Sequence, residues 1–387
     1  MEQLNIIRRS FLEPMKQAFR KLHRYLGLTL AAFWLLQTLS GALLVFHRPL
    51  DDALIGTSNL PLELSAIDEA LNLIKRNSPG TRVIEYFVTG GSANQIDVLV
   101  SVKNGHRYVI RIDGHSGEIL RQTSWENPRS ELGIFRFILL FHKQLLAGEI
   151  GHWIIGVSGS ILFINLLIGL RLAWPPPNRW KHVLLPGKSK VPSATLFKWH
   201  RATGTWFAAT GLIMALTGAL MVWVPTSYYG NLGPTGLIPD LRKEDVIIPS
   251  SEAVRAAKYR FPSASLAVVS MPTKTSPWYA IRVRQPTELR RVFGTTFVYV
   301  DARTSEILSF IDASTAPLPI KALTALWPIH TGEWAGIAGR LLTLIIGIGL
   351  STTVMMGLAL WWQRRRIFKR KKPIDHDLGS TGLRVPK

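Results

Sequence analysis

Four stretches of about twenty mostly apolar residues, 26–46, 154–174, 206–224 and 341–362, govern what this chain can become. At 1.5 Å of rise per residue, each is long enough to cross the roughly 30 Å hydrocarbon core of a bilayer as a helix. Tyr25, Trp174, Trp223, Trp361 and Trp362 stand near their ends, where interfacial aromatics belong. The formal net charge is +21, and it crowds into three blocks at 8–24, 171–201 and 364–372, each beside an apolar run. That is the positive-inside pattern of a membrane protein and not the charged face of a nucleic-acid binder. The run Arg8-Arg9-Ser10-Phe11-Leu12 reads as part of this charge, because Lys16, Arg20, Lys21 and Arg24 separate it from the apolar stretch that an export signal requires.

The expected fold is an α-helical four-span membrane bundle bearing two small α+β lobes on one side. Residues 1–25, 175–200 and 363–387 lie in the cytoplasm, and residues 47–140 and 225–328 form the periplasmic lobes. The spans, with their approaches, occupy 26–46, 141–174, 201–224 and 329–362. The chain has no cysteine, which removes disulfides, iron–sulfur clusters, thiolate zinc sites and thioether-linked haem. Any resident metal must be held by His, Met, carboxylate or backbone.

The chain is built twice. Lys21-Leu22-His23-Arg24 and Lys198-Trp199-His200-Arg201 match at an offset of 177, as do Leu39-Ser40-Gly41-Ala42-Leu43 and Leu216-Thr217-Gly218-Ala219-Leu220. His142 and His330, Gly148 and Gly336, Gly151 and Gly339, and Gly169 and Gly357 match at 188. So do the segments ending Gly117-Glu118-Ile119-Leu120 and Ser305-Glu306-Ile307-Leu308, which places about eleven extra residues in the second lobe. Both halves run span, lobe, span, so they are parallel repeats of one topology. Each lobe opens with an amphipathic helix (66–75; 251–259). Alternating segments at 96–100 and 107–112, and at 279–283 and 296–300, predict half-buried antiparallel strands.

The histidines follow the repeat. His23 and His200 stand at the cytoplasmic mouths of the first and third spans, and His142 and His330 at the outer mouths of the second and fourth. Imidazole is the usual axial ligand of b-type haem, and one His from each of two facing helices holds such a group economically. Gly41 and Gly218 follow the first pair by 18 residues, about 27 Å along a straight helix. They should therefore lie at the level of His142 and His330, as Gly169 and Gly357 should lie at the level of His23 and His200. Small residues there leave room for a flat macrocycle, although they also serve ordinary helix contacts. The expected metal is therefore haem iron, held by His23, His200, His142 and His330. His47 and His152 are alternative ligands, and Arg24, Arg201 and Arg340 are candidates for propionate contacts. His106, His115, His182 and His376 read as surface or structural residues.

The pattern L-H-R-x-x-G-L with a later S-G-A-L, the lobe ending V-D-x-x-x-x-E-I-L and the I-H-x-G-x-x-A-G of the fourth span resemble the PepSY-associated transmembrane family. The first lobe departs slightly, with Ile112-Asp113 for V-D, and the second carries Ser305 where the first has Gly117. Within the family the chain is most similar to the FoxB-type inner-membrane siderophore reductases. The resemblance implies a bacterial inner-membrane protein with PepSY-like periplasmic lobes and two haems b. It also implies outward passage of electrons to a ferric siderophore, of hydroxamate type for example, with release of Fe(II), which hard oxygen ligands hold weakly. No flavin or nicotinamide fingerprint is present, so the electron donor is external, a cytoplasmic partner or a quinol. Trp34, Trp153 and Trp206 are either tunnelling aids or packing, and Tyr228, Tyr229, Trp153 and Trp334 are candidate walls for the siderophore. The rival reading is a membrane-tethered PepSY regulatory or binding protein without redox activity. A permease is a third class, and the scarcity of ionisable residues inside the spans speaks against it.

Overall fold

The computed structural model describes residues 2–56, 60–90, 94–125, 133–224, 233–234 and 238–370, with side chains from residue 13 to residue 366. Tyr228, Tyr229 and the tail from Pro373 lie outside the described residues.

The membrane part starts with α1 (Glu2–Thr29) and α2 (Ala31–Leu44), followed by α3 (His47–Ile55). After the first lobe come α5 (Ile134–Gln144) and α6 (Gly148–Ala173), and then the short α7 (Trp180–Leu184). The second half repeats the plan with α8 (Pro192–Trp206), α9 (Ala208–Trp223), α11 (Leu318–Thr331) and α12 (Gly336–Arg370). Two helical segments, Gly148–Ala173 and Glu333–Arg366, are each long and apolar enough to cross a membrane. Two bent pairs qualify if each is one span: Glu13–Thr29 with Ala31–Leu44, and Pro192–Trp206 with Ala208–Trp223. The chain is therefore a membrane protein with two to four spanning segments.

The bends measure 65° and 60° and fall at Leu30 and Phe207, which the repeat relates. Both residues leave helical geometry for the bridge region, with φ −105°, ψ 2° and φ −96°, ψ 3°. Gly27 and Gly204 stand three residues before the breaks, where the lack of a side chain lowers the cost of leaving the helix. The bends redirect each chain between neighbours. α1 packs on α6 and α2 packs on α12, while α8 packs on α12 and α9 packs on α6.

The soluble part differs from the expectation of two lobes. Its strands are β1 (Arg82–Val88), β2 (Gln95–Ser101), β3 (Arg107–Asp113), β4 (Ile119–Ser124), β5 (Ser265–Ser270), β6 (Trp278–Arg284), β7 (Thr296–Asp301) and β8 (Ile307–Ile311). They form one antiparallel sheet in the order β4-β3-β2-β1-β5-β6-β7-β8. The halves join where β1 meets β5, with Glu85 opposite Ser270, Tyr86 opposite Val269 and Phe87 opposite Val268. Each of these strands would be the open edge of a four-stranded lobe, and pairing them satisfies both rows of backbone groups. β1, β4, β5 and β8 are strands that the alternation in the sequence does not reveal.

One face of the sheet is covered by α4 (Leu64–Asn77) and α10 (Ser250–Arg260). Ile67, Ala70, Leu71 and Ile74 of α4 recur at helical spacing and are buried, with Ala253, Val254 and Ala257 of α10 beside them. These helices also tie the halves together. Asp68 of α4 accepts from Ser250 Oγ (2.6 Å) and from the Ser251 amide (3.1 Å), capping the start of α10 from across the seam.

The other face carries charge. Arg111 donates to both oxygens of Asp97 (2.7 and 2.9 Å) and reaches Asp52 (3.1 Å) and Asp51 (2.9 Å) of α3, while Arg121 grips Asp51 with two hydrogen bonds of 2.8 Å. Asp52 is fully buried. This network fastens α3, and with it the end of α2, to the sheet.

Candidate functional site: two facing histidine pairs

The structure brings the four repeat-related histidines together as two pairs. His23 of α1 faces His200 of α8 with ring centroids 6.4 Å apart and planes at 54°. His142 of α5 faces His330 of α11, again at 6.4 Å, with planes at 43°. The second pair adjoins the sheet domain, because Ile320 of α11 packs against Phe297 and Tyr299 on it. We call it the sheet-side pair and the first the far pair. Neither sheet-side ligand candidate lies on a long span; each sits near the C-terminal end of a short helix that precedes one.

Each ring is seated against one of the four glycines. A Cβ on Gly41 would lie 3.0 Å from His142 Cε1, and one on Gly218 would lie 2.8 Å from His330 Cε1. The corresponding distances are 2.9 Å from Gly169 to His23 and 3.3 Å from Gly357 to His200. The space that glycine leaves is thus taken by imidazole.

The same notch orients the ring. His23 Nδ1 donates to the Asn165 carbonyl (3.2 Å), His200 Nδ1 to Thr353 (3.0 Å) and His330 Nδ1 to Met214 (3.1 Å). Each acceptor stands four residues before the seating glycine. The sheet-side rings gain a hydroxyl as well. Ser40 Oγ, which donates to the Gln37 carbonyl (3.0 Å), lies 3.0 Å from His142 Nδ1, and Thr217 Oγ1 lies 3.2 Å from His330 Nδ1. An Nδ1–H directed at an acceptor selects one tautomer and leaves the Nε2 lone pair available to a metal, the usual arrangement behind a ligating histidine. No hydrogen bond reaches Nε2 of any of the four among the described residues. The acceptors Asn165 and Thr353 obey the 188 offset, and Gln37 and Met214 the 177 offset. The signal was present in the sequence, but backbone acceptors leave no residue-type signature.

The straight helices give the separation of the two levels. A Cβ on Gly159 would touch Ala219, next to Gly218, at 3.4 Å, and one on Gly347 would touch Ala42, next to Gly41, at 3.0 Å. Gly169 and Gly357, at the far pair, come ten residues later on the same helices, about 15 Å along their axes. The bends at Leu30 and Phe207 contribute to the shortfall from the 27 Å of a straight path.

The remaining predicted residues are placed elsewhere. Arg201 donates twice to the Ala173 carbonyl (3.1 and 2.7 Å), closing the C-terminal end of α6. Arg24 lies over the ring of its neighbour Tyr25 at 5.3 Å. His47 sits against Phe135 of α5, 6.5 Å between centroids, with Nδ1 bonded to the Leu44 carbonyl (2.5 Å). Burial, and then the charge of Arg48, bring its pKa down to about 4. His152 contacts Trp153, and Trp153 contacts Trp223. Arg340 falls in a basic group with Arg48 beside His47. Trp34 is buried and donates to Ser158 (3.1 Å), Trp206 packs on Trp199, and Trp334 is half exposed.

Among the described residues no group of three or more His, Cys, Asp or Glu side chains is placed to hold a metal ion. Each pair supplies two nitrogens, which suits a metal whose remaining ligands come with it. A metal–imidazole bond of about 2 Å at each end, plus about 1 Å from nitrogen to ring centre, puts two axial rings about 6 Å apart. The observed 6.4 Å meets this. The tilts of 54° and 43° are compatible, since each ring need only contain the axis through the metal.

Fold and site together define a membrane protein whose helices present paired, pre-oriented imidazoles beneath an antiparallel sheet. The chain belongs to the family described as the PepSY-associated TM region, which matches residues 20–364. Among curated proteins, none matches the chain.

Proposed function

We propose that the protein is a haem-b reductase of the bacterial inner membrane that passes electrons outward to a ferric siderophore. Each bent helix pair is then one span, giving four, with the basic ends in the cytoplasm and the sheet in the periplasm. The observation that carries the reading is the fourfold repetition of one imidazole seat, a glycine notch with a partner ring 6.4 Å away, in which Nδ1 meets a carbonyl four residues before the glycine at His23, His200 and His330 and the Ser40 hydroxyl at His142.

His23 and His200 would hold one haem and His142 and His330 the other. Bound haem iron supplies reversible one-electron chemistry. The chain's own part is to ligate through Nε2, to fix the tautomer through Nδ1, and to keep the seats in a low-dielectric bundle. Gln37 adds to this by donating to the His142 carbonyl (3.3 Å). An external electron donor would meet the far side. A siderophore would approach the sheet side, where a cavity of about 380 Å³ opens near the β1–β5 seam beside Arg82, Thr273, Trp278 and Tyr299.

The absorption spectrum of detergent-purified protein, oxidised and dithionite-reduced, tests the reading. It should show b-type α and β bands with about two haems per chain, and oxidation of the reduced protein by ferric siderophore would follow. A chain without haem after haem-replete expression would instead support the tethered regulatory protein.

A further inference from the structure

One departure from the internal repeat lies beside the sheet-side pair. Ile96 pairs with Ile112, sixteen residues on, whereas the equivalent Tyr279 and Val300 are 21 apart. The β6–β7 hairpin is therefore five residues longer than its counterpart. Glu288 braces it, accepting from the Gln285 amide (3.0 Å) and from the hydroxyls of Thr295 and Thr296 (2.7 Å each). The hairpin carries Arg290 to α11, where its guanidinium lies 5.2 Å from the ring of Trp327, one turn before His330. Arg290 Nε is buried with no hydrogen-bond partner among the described residues.

Arg290 does not stand alone. Arg48 stacks on Phe293 of the same hairpin at 4.6 Å and donates to the Thr89 carbonyl (2.5 Å). Arg340 acts electrostatically on Arg48, and Arg48 on Arg290. The carboxylate that acts on both Arg48 and Arg290 from α11's side is Glu333, which accepts from Trp327 Nε1 (3.2 Å) and keeps Oε2 unmet. Burial, and then the charge of Arg282, bring Arg290 down to about 10; burial is also the main cause that lowers Arg48. Arg48 and Arg290 thus share Glu333 in a desolvated place, with Asp97 acting further on Arg48 and Glu288 on Arg290, and stacking on aromatic rings offsets only part of the cost. The first half has no equivalent, since His152 stands where the second half has Arg340 and its hairpin is short. An excess of buried, forked donors of this kind fits a planar carboxylate.

We infer that Arg48, Arg290 and Arg340 form a receptor for a carboxylate presented beside the sheet-side histidine pair, with the long β6–β7 hairpin as its outer wall. Two sources share this chemistry: a propionate of a haem bound there, which rests on the proposed function, and a carboxylate on a molecule arriving from the periplasm.

The test compares full-length wild type with Arg290→Gln and the conservative Arg290→Lys. Each is loaded with haem b or with its propionate dimethyl ester, and each is titrated with citrate. If the propionate is the ligand, wild type should bind the ester about tenfold more weakly than haem at one of its two sites. Arg290→Gln should abolish that discrimination, Arg290→Lys should keep part of it, and one of two reduction waves should move to lower potential. If the carboxylate comes from outside, ester and haem bind alike, but wild type binds citrate and Arg290→Gln loses it at least tenfold. Retention of the other haem in Arg290→Gln shows that the variant is folded. Equal ester binding together with equal citrate binding in all three proteins would overturn the receptor while leaving the haem reading intact. Absence of haem from wild type would defeat the haem reading, and citrate binding to the haem-free chain then decides the receptor alone.

Discussion

His23 and His200 sit on the bent helices themselves, seated by Gly169 and Gly357 and oriented by backbone carbonyls alone. His142 and His330 sit on the short helices α5 and α11, with added hydroxyls from Ser40 and Thr217 and with Arg290 over Trp327, one turn before His330. The local seat is the same, so its geometry is a property of the repeat. The surroundings differ, because α11, which carries His330, also packs on the sheet, where the β6–β7 hairpin departs from its counterpart. Both pairs are enclosed by helices, and the sheet-side pair is the one whose helix α11 also contacts the soluble domain.

On the proposed reading, with a haem at each pair, the largest effects should come from the histidines. His200→Ala is expected to lower the haem-to-protein ratio from about two to about one with the sheet-side signal retained, and His330→Ala should do the reverse. A full complement of haem in either variant would break the pairing. Next comes the anchor between α3 and the sheet. Arg111→Met takes the guanidinium away from Asp97 and Asp52 and leaves Asp51 to Arg121 alone, and removing one member of such a network costs about 3–5 kcal/mol. Thermal melts should show that loss, and the sheet-side haem should be released before the far one.

The glycine seats should rank by the room each ring leaves. Gly218→Ala would put Cβ at 2.8 Å from His330, and Gly357→Ala at 3.3 Å from His200. Haem retention on gel filtration should therefore fall further for Gly218→Ala, and the opposite order would refute the seat. Thr217→Ala should be milder, weakening the sheet-side haem by about 1 kcal/mol, the worth of one hydrogen bond, with the far haem unmoved.

Acid should act on the sheet-side end through Asp51. Burial raises the Asp51 carboxyl, but the hydrogen bonds of Arg121 and the charge of Arg111 outweigh it, so the group lies below its ordinary value. Its stabilisation is complete above the unfolded pKa of about 4 and is lost as pH falls through the lower folded value. Melting temperature should drop on this acid limb, and Asp51→Asn should flatten it.

Much of this was legible in the residues. Mostly apolar runs of about twenty residues marked a membrane protein, and the offsets of 177 and 188 marked His23 with His200 and His142 with His330 as equivalents. The strands 96–100 and 107–112 were visible because alternation is a local signal. β1 and β5 were not, because their burial comes from pairing with each other, 183 residues apart. The role of Arg201 was also hidden: its charge was visible, but its partner is a carbonyl at the end of another helix.

The sequence by itself determined what repeats and what is apolar, since both are carried by residue type at fixed spacing. That sufficed for the membrane class and for the four histidines and four glycines that come together. Only the tertiary structure decided that two lobes would close into one sheet, that the helices carrying His23 and His200 would bend at Leu30 and Phe207, and that Arg290 would reach the histidine end of α11. These depend on closure between distant segments and on backbone acceptors, and neither leaves a mark on composition or period.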